Sequence, residues 1–227
     1  MELKYYTIFG ERNSGTNYLK SILDKKLKLK YTKKFGFKHW YIKNHYPRGR
    51  ENKTTDNECF IDIDNNKDTL FIFTVRNPYD WCGSMKEKPY HIKRYDMSSM
   101  MSFISGKYIA LENELPQDHM EDSISPWYKD DITGRYFIEE AENLIELRNT
   151  KNTHFYNLKD RVKYFHIIKQ ETLEEDINDM INKFKLICNN VNVITNYKKP
   201  RSYSLDDKSI QFIKNNLNNI IDNNYYI

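Results

Sequence analysis

The chain has 227 residues, a net charge of +4 and an aromatic content of 15% that includes 18 tyrosines. A chain of that length makes one domain able to bury about 70% of its unfolded surface, and its mild positive charge suits an anionic ligand without implying nucleic acid. No apolar run reaches the length of a membrane span, Met1-Glu2-Leu3-Lys4 does not open a signal peptide, and Cys59, Cys82 and Cys188 have neither disulfide nor zinc spacing. A cytoplasmic protein with reduced thiols, no metal and no membrane contact is therefore expected.

Taken in order, Tyr5 to Phe9 is a short apolar run that predicts a strand. Tyr18, Leu19, Ile22 and Leu23 fall on one helical face. Between them lies Gly10-Glu11-Arg12-Asn13-Ser14-Gly15-Thr16-Asn17, so the order is strand, glycine-bearing loop, helix. Such a loop turns backbone N–H groups inward where the helix begins, and those donors with the helix dipole bind phosphate or sulfate. Gly10 and Gly15 have the spacing of the first two fixed positions of a Walker A loop, but Thr16 stands where the lysine would be. That argues against ATP or GTP hydrolysis and leaves anion binding intact. The competing reading is a turn whose glycines serve geometry alone.

The basic segment Lys25 to Lys34 reads as a solvated helix end, and the alternating aromatic stretch Phe35 to Ile42 as a second strand. Asn44 to Asp56 reads as an exposed polar loop. Leu70 to Val75 is a nearly unbroken apolar run, as a parallel strand covered on both faces requires. Pro78 stops it, and Asp80 reads as the cap of a helix over Trp81 to Lys86. Around 87–134 the pattern breaks into an expected loop or lid insertion, with a short helix at Ser98 to Ile104 and an acidic stretch, Glu112 to Asp131, that holds Pro116 and Pro126. Arg135 to Lys151 predicts a helix and Val162 to Lys169 a strand. Thr172 and Glu175 form a capping-box pair for a helix reaching about Ile187. Val191 to Ile194 reads as a last strand, and Ser204 with Asp207 opens a final helix carrying Ile210, Ile213, Leu217 and Ile220. Alternating strands and helices indicate an α/β fold, a three-layer α/β/α domain over 1–227 with a central, mainly parallel sheet of the P-loop-containing nucleotide-binding type, its ligands beyond the strand carboxyl ends.

Arg76 at a strand end and Ser84 in the next helix lie eight residues apart. A guanidinium and a hydroxyl so placed hold one phosphate between them. The alternative pairs Arg76 with Asp80 and leaves Ser84 to fill space.

Together these segments resemble the sulfotransferases that use 3′-phosphoadenosine 5′-phosphosulfate (PAPS). Arg12-Asn13-Ser14-Gly15-Thr16-Asn17 is similar to the family's 5′-phosphosulfate loop, Val75-Arg76-Asn77-Pro78-Tyr79-Asp80 with Ser84 to its 3′-phosphate motif, and Ile168-Lys169-Gln170-Glu171-Thr172-Leu173 to its late strand-end segment. The likeness spans roughly residues 5 to 190. It implies that Arg12, Asn13, Ser14, Gly15, Thr16 and Asn17 hold the 5′ end of PAPS, and Arg76 and Ser84 its 3′-phosphate. It makes 3′-phosphoadenosine 5′-phosphate (PAP) the product and a small molecule, carbohydrate or peptide bearing a hydroxyl or amine the acceptor. Lys38-His39 resembles a catalytic Lys and His of the cytosolic branch, so that His39 is the general base, Lys38 steadies the transferred group, and no metal is used. A core histidine is the alternative for His39. The family's loop carries Lys or Arg where this chain has Asn13, which leaves Arg12 or Lys38 to supply that cation. The family's glycine-rich Arg-Lys-Gly segment has no counterpart beyond Lys198-Lys199-Pro200-Arg201. A P-loop kinase and a catalytically silent nucleotide-binding module are the other classes compatible with these motifs.

Overall fold

The computed structural model describes residues 2–33, 35, 39, 66–89, 96–108, 141–189, 199–218 and 221–222. Within them the chain is an α/β protein built on a four-stranded parallel sheet of order β2-β1-β3-β4. The strands are β1 (Tyr5–Gly10), β2 (Lys30–Tyr31), β3 (Thr69–Val75) and β4 (Phe165–Lys169). All of β3 is buried, which explains its lack of polar alternation. Its register sets Ile8 against Ile72 and Gly10 against Thr74 on one side, and Val75 against Lys169 on the other.

Pleating divides the apolar side chains between the two faces. Tyr6, Ile8, Leu70, Ile72 and Ile168 pack with Leu19, Ile22 and Leu23 of α1 (Thr16–Lys26) and with Leu173, Ile177 and Met180 of α5 (Leu173–Phe184). Phe9, Phe71, Phe73 and Val75 pack with Phe155 of α4 (Leu144–Asn157) and with Leu158 in the following 3-10 turn. A third cluster joins α4 to α2 (Pro78–Glu87), α3 (Met100–Ser105) and α6 (Asp207–Asn216) through Trp81, Phe103, Leu144 and Ile213. Tyr108 and Ala141 form an isolated antiparallel bridge. No helix among the described residues is long and apolar enough to cross a membrane.

Several expected boundaries are corrected. The strand beside β1 is Lys30–Tyr31, inside the segment read as a solvated basic run. Phe35 lies in a turn, where its ring meets Phe71 at 4.7 Å between centroids. Of the expected strand at 35–42, only Phe35 and His39 are described. Asn77, not Asp80, caps α2, accepting from the N–H groups of Tyr79 and Asp80, with Pro78 at the first helical position. α4 starts at Leu144 behind an Asn143 cap and runs on to Asn157. The Thr172–Glu175 capping box does not form. Asp176 instead accepts from the Thr172 hydroxyl at 3.0 Å and from the Lys169 N–H at 2.7 Å. α6 is capped by Asp206, whose carboxylate takes the Ser209 N–H at 3.0 Å, rather than by Ser204. The expected strand at 191–194, the polar loop at 44–56 and the acidic stretch at 112–131 lie outside the described residues.

Candidate functional site

In this strand order the chain leaves β1 toward β2 on one side and returns to β3 on the other. The switch point therefore lies between the carboxyl ends of β1 and β3, where ligands bind in open parallel sheets. The loop after Gly10 and the segment after Val75 both emerge there.

The loop turns its carbonyl groups outward. The Glu11 carbonyl accepts from the Ser14 N–H at 3.1 Å, Arg12 from Trp81 Nε1 at 2.7 Å, Asn13 from Arg76 Nη1 at 3.2 Å and Ser14 from the Thr74 hydroxyl at 3.1 Å. The Gly15 carbonyl begins the α1 ladder by accepting from the Leu19 N–H. With each oxygen committed to the scaffold, the opposite edge of those peptides presents N–H groups, the geometry of an anion nest. The N–H groups of Asn13, Gly15 and Thr16 meet no protein acceptor among the described residues, and α1 has no side-chain cap. Asn13 and Gly15 hold this curve at φ 60° and 80°. Glycine is required at 15, where a Cβ would sit 2.2 Å from the Gln170 amide oxygen, and at 10, where one would sit 2.6 Å from the Thr74 carbonyl.

Below the loop lies a buried pair absent from the sequence reading. Lys151 Nζ of α4 is 2.9 Å from Glu11 Oε1, both side chains are 3% exposed, and the Arg12 N–H donates to the same oxygen. The available signal was a charge on an apolar stripe, since Leu144, Arg148, Lys151 and Phe155 share the buried face of one helix. Arg148 is the same case. Its Nη1 is 2.7 Å from Asp222 Oδ2 and its Nη2 donates to the Arg76 carbonyl at 3.1 Å, which fixes the backbone where β3 ends.

Arg76 is aimed at the loop. It is 8% exposed, and while Nη1 serves Asn13, Nη2 donates to the Arg201 carbonyl at 2.7 Å. Its Nε is buried with no partner among the described residues. Arg76 does not pair with Asp80, whose carboxylate accepts from the Tyr203 N–H at 2.9 Å. Ser84 stands one helical turn from Asp80, and its carbonyl accepts from the Asn13 amide at 3.4 Å. That amide also reaches Met85 Sδ at 3.1 Å and the Lys88 carbonyl, so position 13 faces α2.

No family model, curated protein or solved structure matches the chain. The site therefore stands on its own geometry.

His39 is 7% exposed, and its Nδ1 lies 2.8 Å from the Gly10 carbonyl. A carbonyl partner requires the proton on Nδ1, which leaves the lone pair of the neutral ring on Nε2, the tautomer a general base needs. Lys38 lies outside the described residues. Of the expected loop residues, Ser14 and Thr16 are buried, Arg12, Asn13 and Gly15 are half-buried and Asn17 is exposed at the start of α1. The Cys82 thiol, wholly buried in α2, is pushed up to about 12 by desolvation, which makes it an inert core group. No cluster of three metal-ligating side chains occurs among the described residues. A cavity of about 520 Å³ opens at the opposite end of the sheet, lined by Lys4, Tyr5, Lys28, Tyr164, Phe184 and Lys185. Lys28 and Lys185 lie just past the ends of α1 and α5, where ammonium groups serve the helix dipoles.

Proposed function

We propose that this protein is a sulfotransferase-like enzyme that moves a sulfuryl group from PAPS to a hydroxyl or amine of a small molecule, carbohydrate or peptide, on a three-layer fold of the P-loop-containing nucleotide-binding type. One observation carries the reading. The Arg76 guanidinium is bonded to the outer edge of the glycine loop and holds a buried Nε with no partner among the described residues, which supports two adjoining anion-binding elements at the switch point. A ligand with phosphoryl groups at two ends, as in adenosine 3′,5′-bisphosphate, is what two such elements select.

In this reading the loop over Ser14, Gly15, Thr16 and Asn17 binds the 5′-phosphosulfate through the N–H groups of Asn13, Gly15 and Thr16, and Arg76 and Ser84 bind the 3′-phosphate. The acceptor oxygen or nitrogen attacks sulfur in line with the leaving phosphate oxygen. Its proton passes to Nε2 of His39, the S–O bond to the phosphate breaks, and PAP leaves with the bonding pair. Preorganised N–H donors and cations stabilise the charge that grows on the leaving oxygen. Arg12, or Lys38, is the candidate cation.

The second reading, a module that binds the nucleotide without turnover, is favoured by the engagement of the Asn13 amide with α2. Titration calorimetry with PAP, AMP and ATP tests both readings at once. Selective binding of PAP is expected, and equal or absent binding of all three removes the assignment. Selective binding without sulfate transfer to any acceptor selects the second reading. Strict Mg²⁺-dependent turnover of ATP would instead revive the kinase class.

A further inference from the structure

We propose that the strap over residues 200–206 is a built-in competitor for the Arg76–Ser84 subsite, seated in it when no anion is bound and displaced when one arrives. This rests on the assignment of Arg76 and Ser84 to an anion subsite. Nε and Nη2 are the two donors of the side-on fork of a guanidinium, the pair that grips a phosphate or carboxylate with parallel hydrogen bonds. In Arg76 that fork is half used, because Nη2 donates to the neutral carbonyl of Arg201 and Nε meets no acceptor among the described residues. The arginine is 8% exposed, so an anion gains both donors only by moving the carbonyl aside.

The strap is docked on the same helix that carries Ser84. The Tyr203 N–H donates to Asp80 Oδ1, its phenol donates to Glu87, and its ring lies 6.0 Å from the Arg76 guanidinium carbon. The Tyr203 ring lies on Gly83, the residue before Ser84, so one segment lies against the helix turn that carries Ser84 and against Arg76. Gly83 makes the seat, since a Cβ there would lie 2.2 Å from Tyr203 Cγ. Arg201 pairs with Glu87 across an exposed contact, with 68% and 39% of the two side chains open to solvent, and pairs of that kind hold little. The strap thus has many weak attachments and one neutral ligand for a charged fork. A dianion exchanges that carbonyl for two charge-assisted bonds.

The proposal predicts an inverse effect for two variants. Gly83→Ala pushes the Tyr203 ring off α2 while raising helix propensity, so α2 itself persists. Tyr203→Ala removes the ring and the phenol. Each is expected to bind PAP, and inorganic phosphate as a bare anion probe, about tenfold more tightly than the parent chain, the worth of one bond to a charged donor. In the parent chain, saturating PAP should speed amide hydrogen exchange at Tyr203, whose N–H is held by Asp80. Unchanged or weaker binding in both variants, or slower exchange on adding PAP, overturns the proposal while selective PAP binding leaves the nucleotide assignment standing. If PAP binds no better than AMP yet phosphate gains in both variants, the nucleotide assignment fails and the competition stands. If neither ligand binds any of the three proteins, both fall.

Discussion

A guanidinium with one tine of its fork unused is a stronger anion receptor than its present partner suggests, and this sets the first prediction. Arg76→Ala should weaken PAP by about tenfold to a hundredfold in calorimetry while AMP changes little, and Arg76→Lys should recover only part, since an ammonium cannot replace the fork. Similar losses for both nucleotides would show that Arg76 does not meet the 3′-phosphate. His39→Gln should lower sulfate transfer by about a hundredfold or more with PAP affinity unchanged, the pattern of a lost general base. Arg76 and the loop were legible because their residue types and spacing are local facts. Glu11 and Lys151 were not, because they pair across 140 positions of sequence and neither end signals the other.

At the scale of elements, helix ends were the least legible feature, and each miss has a chemical cause. At Asn77-Pro78, proline both stops β3 and opens α2, and only the first role was read. At Thr172, the nearby Asp176 reaches two donors and takes the position a Glu175 capping box would need. Asn77→Ala should lower the unfolding free energy by about 1 kcal/mol in urea titration, the usual worth of such a cap. The contact between β4 and α5 carries a pH signature. Burial, above all, pushes His166 below the ordinary histidine range, and its Nε2 donates to the Asp176 carbonyl at 3.0 Å. The unfolded chain takes up a proton near pH 6.5, whereas the folded chain resists until lower pH. Stability should be fully present above about pH 6.5 and fall as pH drops toward the folded value, and His166→Phe should flatten that part of a urea-midpoint profile.

For the whole molecule, an α/β fold with a parallel sheet followed from the alternation of strand and helix patterns, but the order β2-β1-β3-β4 did not. Order is set by pairings between distant segments, and Lys30–Tyr31 is too short and polar to announce itself. The link from α4 to Asp222 is equally non-local. Removing one member of a buried ion pair leaves the other charged and unsolvated, so Asp222→Ala should cost about 3–5 kcal/mol in urea unfolding. Arg148→Met with Asp222→Leu should restore most of that loss, and failure of the double variant to recover would mean that the pair itself supplies net stability.

The Gln170 amide donates to the Thr74 hydroxyl at 3.1 Å, and that hydroxyl donates to the Ser14 carbonyl. The glycine turn therefore borrows its curvature from two strands that arrive much later along the chain. It is not a portable cassette: residues 5–26 grafted onto a foreign protein would lack the groups that orient their peptide planes. If the turn binds PAP as proposed, that capture should return during refolding only with the joining of β4, which makes ligand-induced fluorescence a clock for the closing of the sheet.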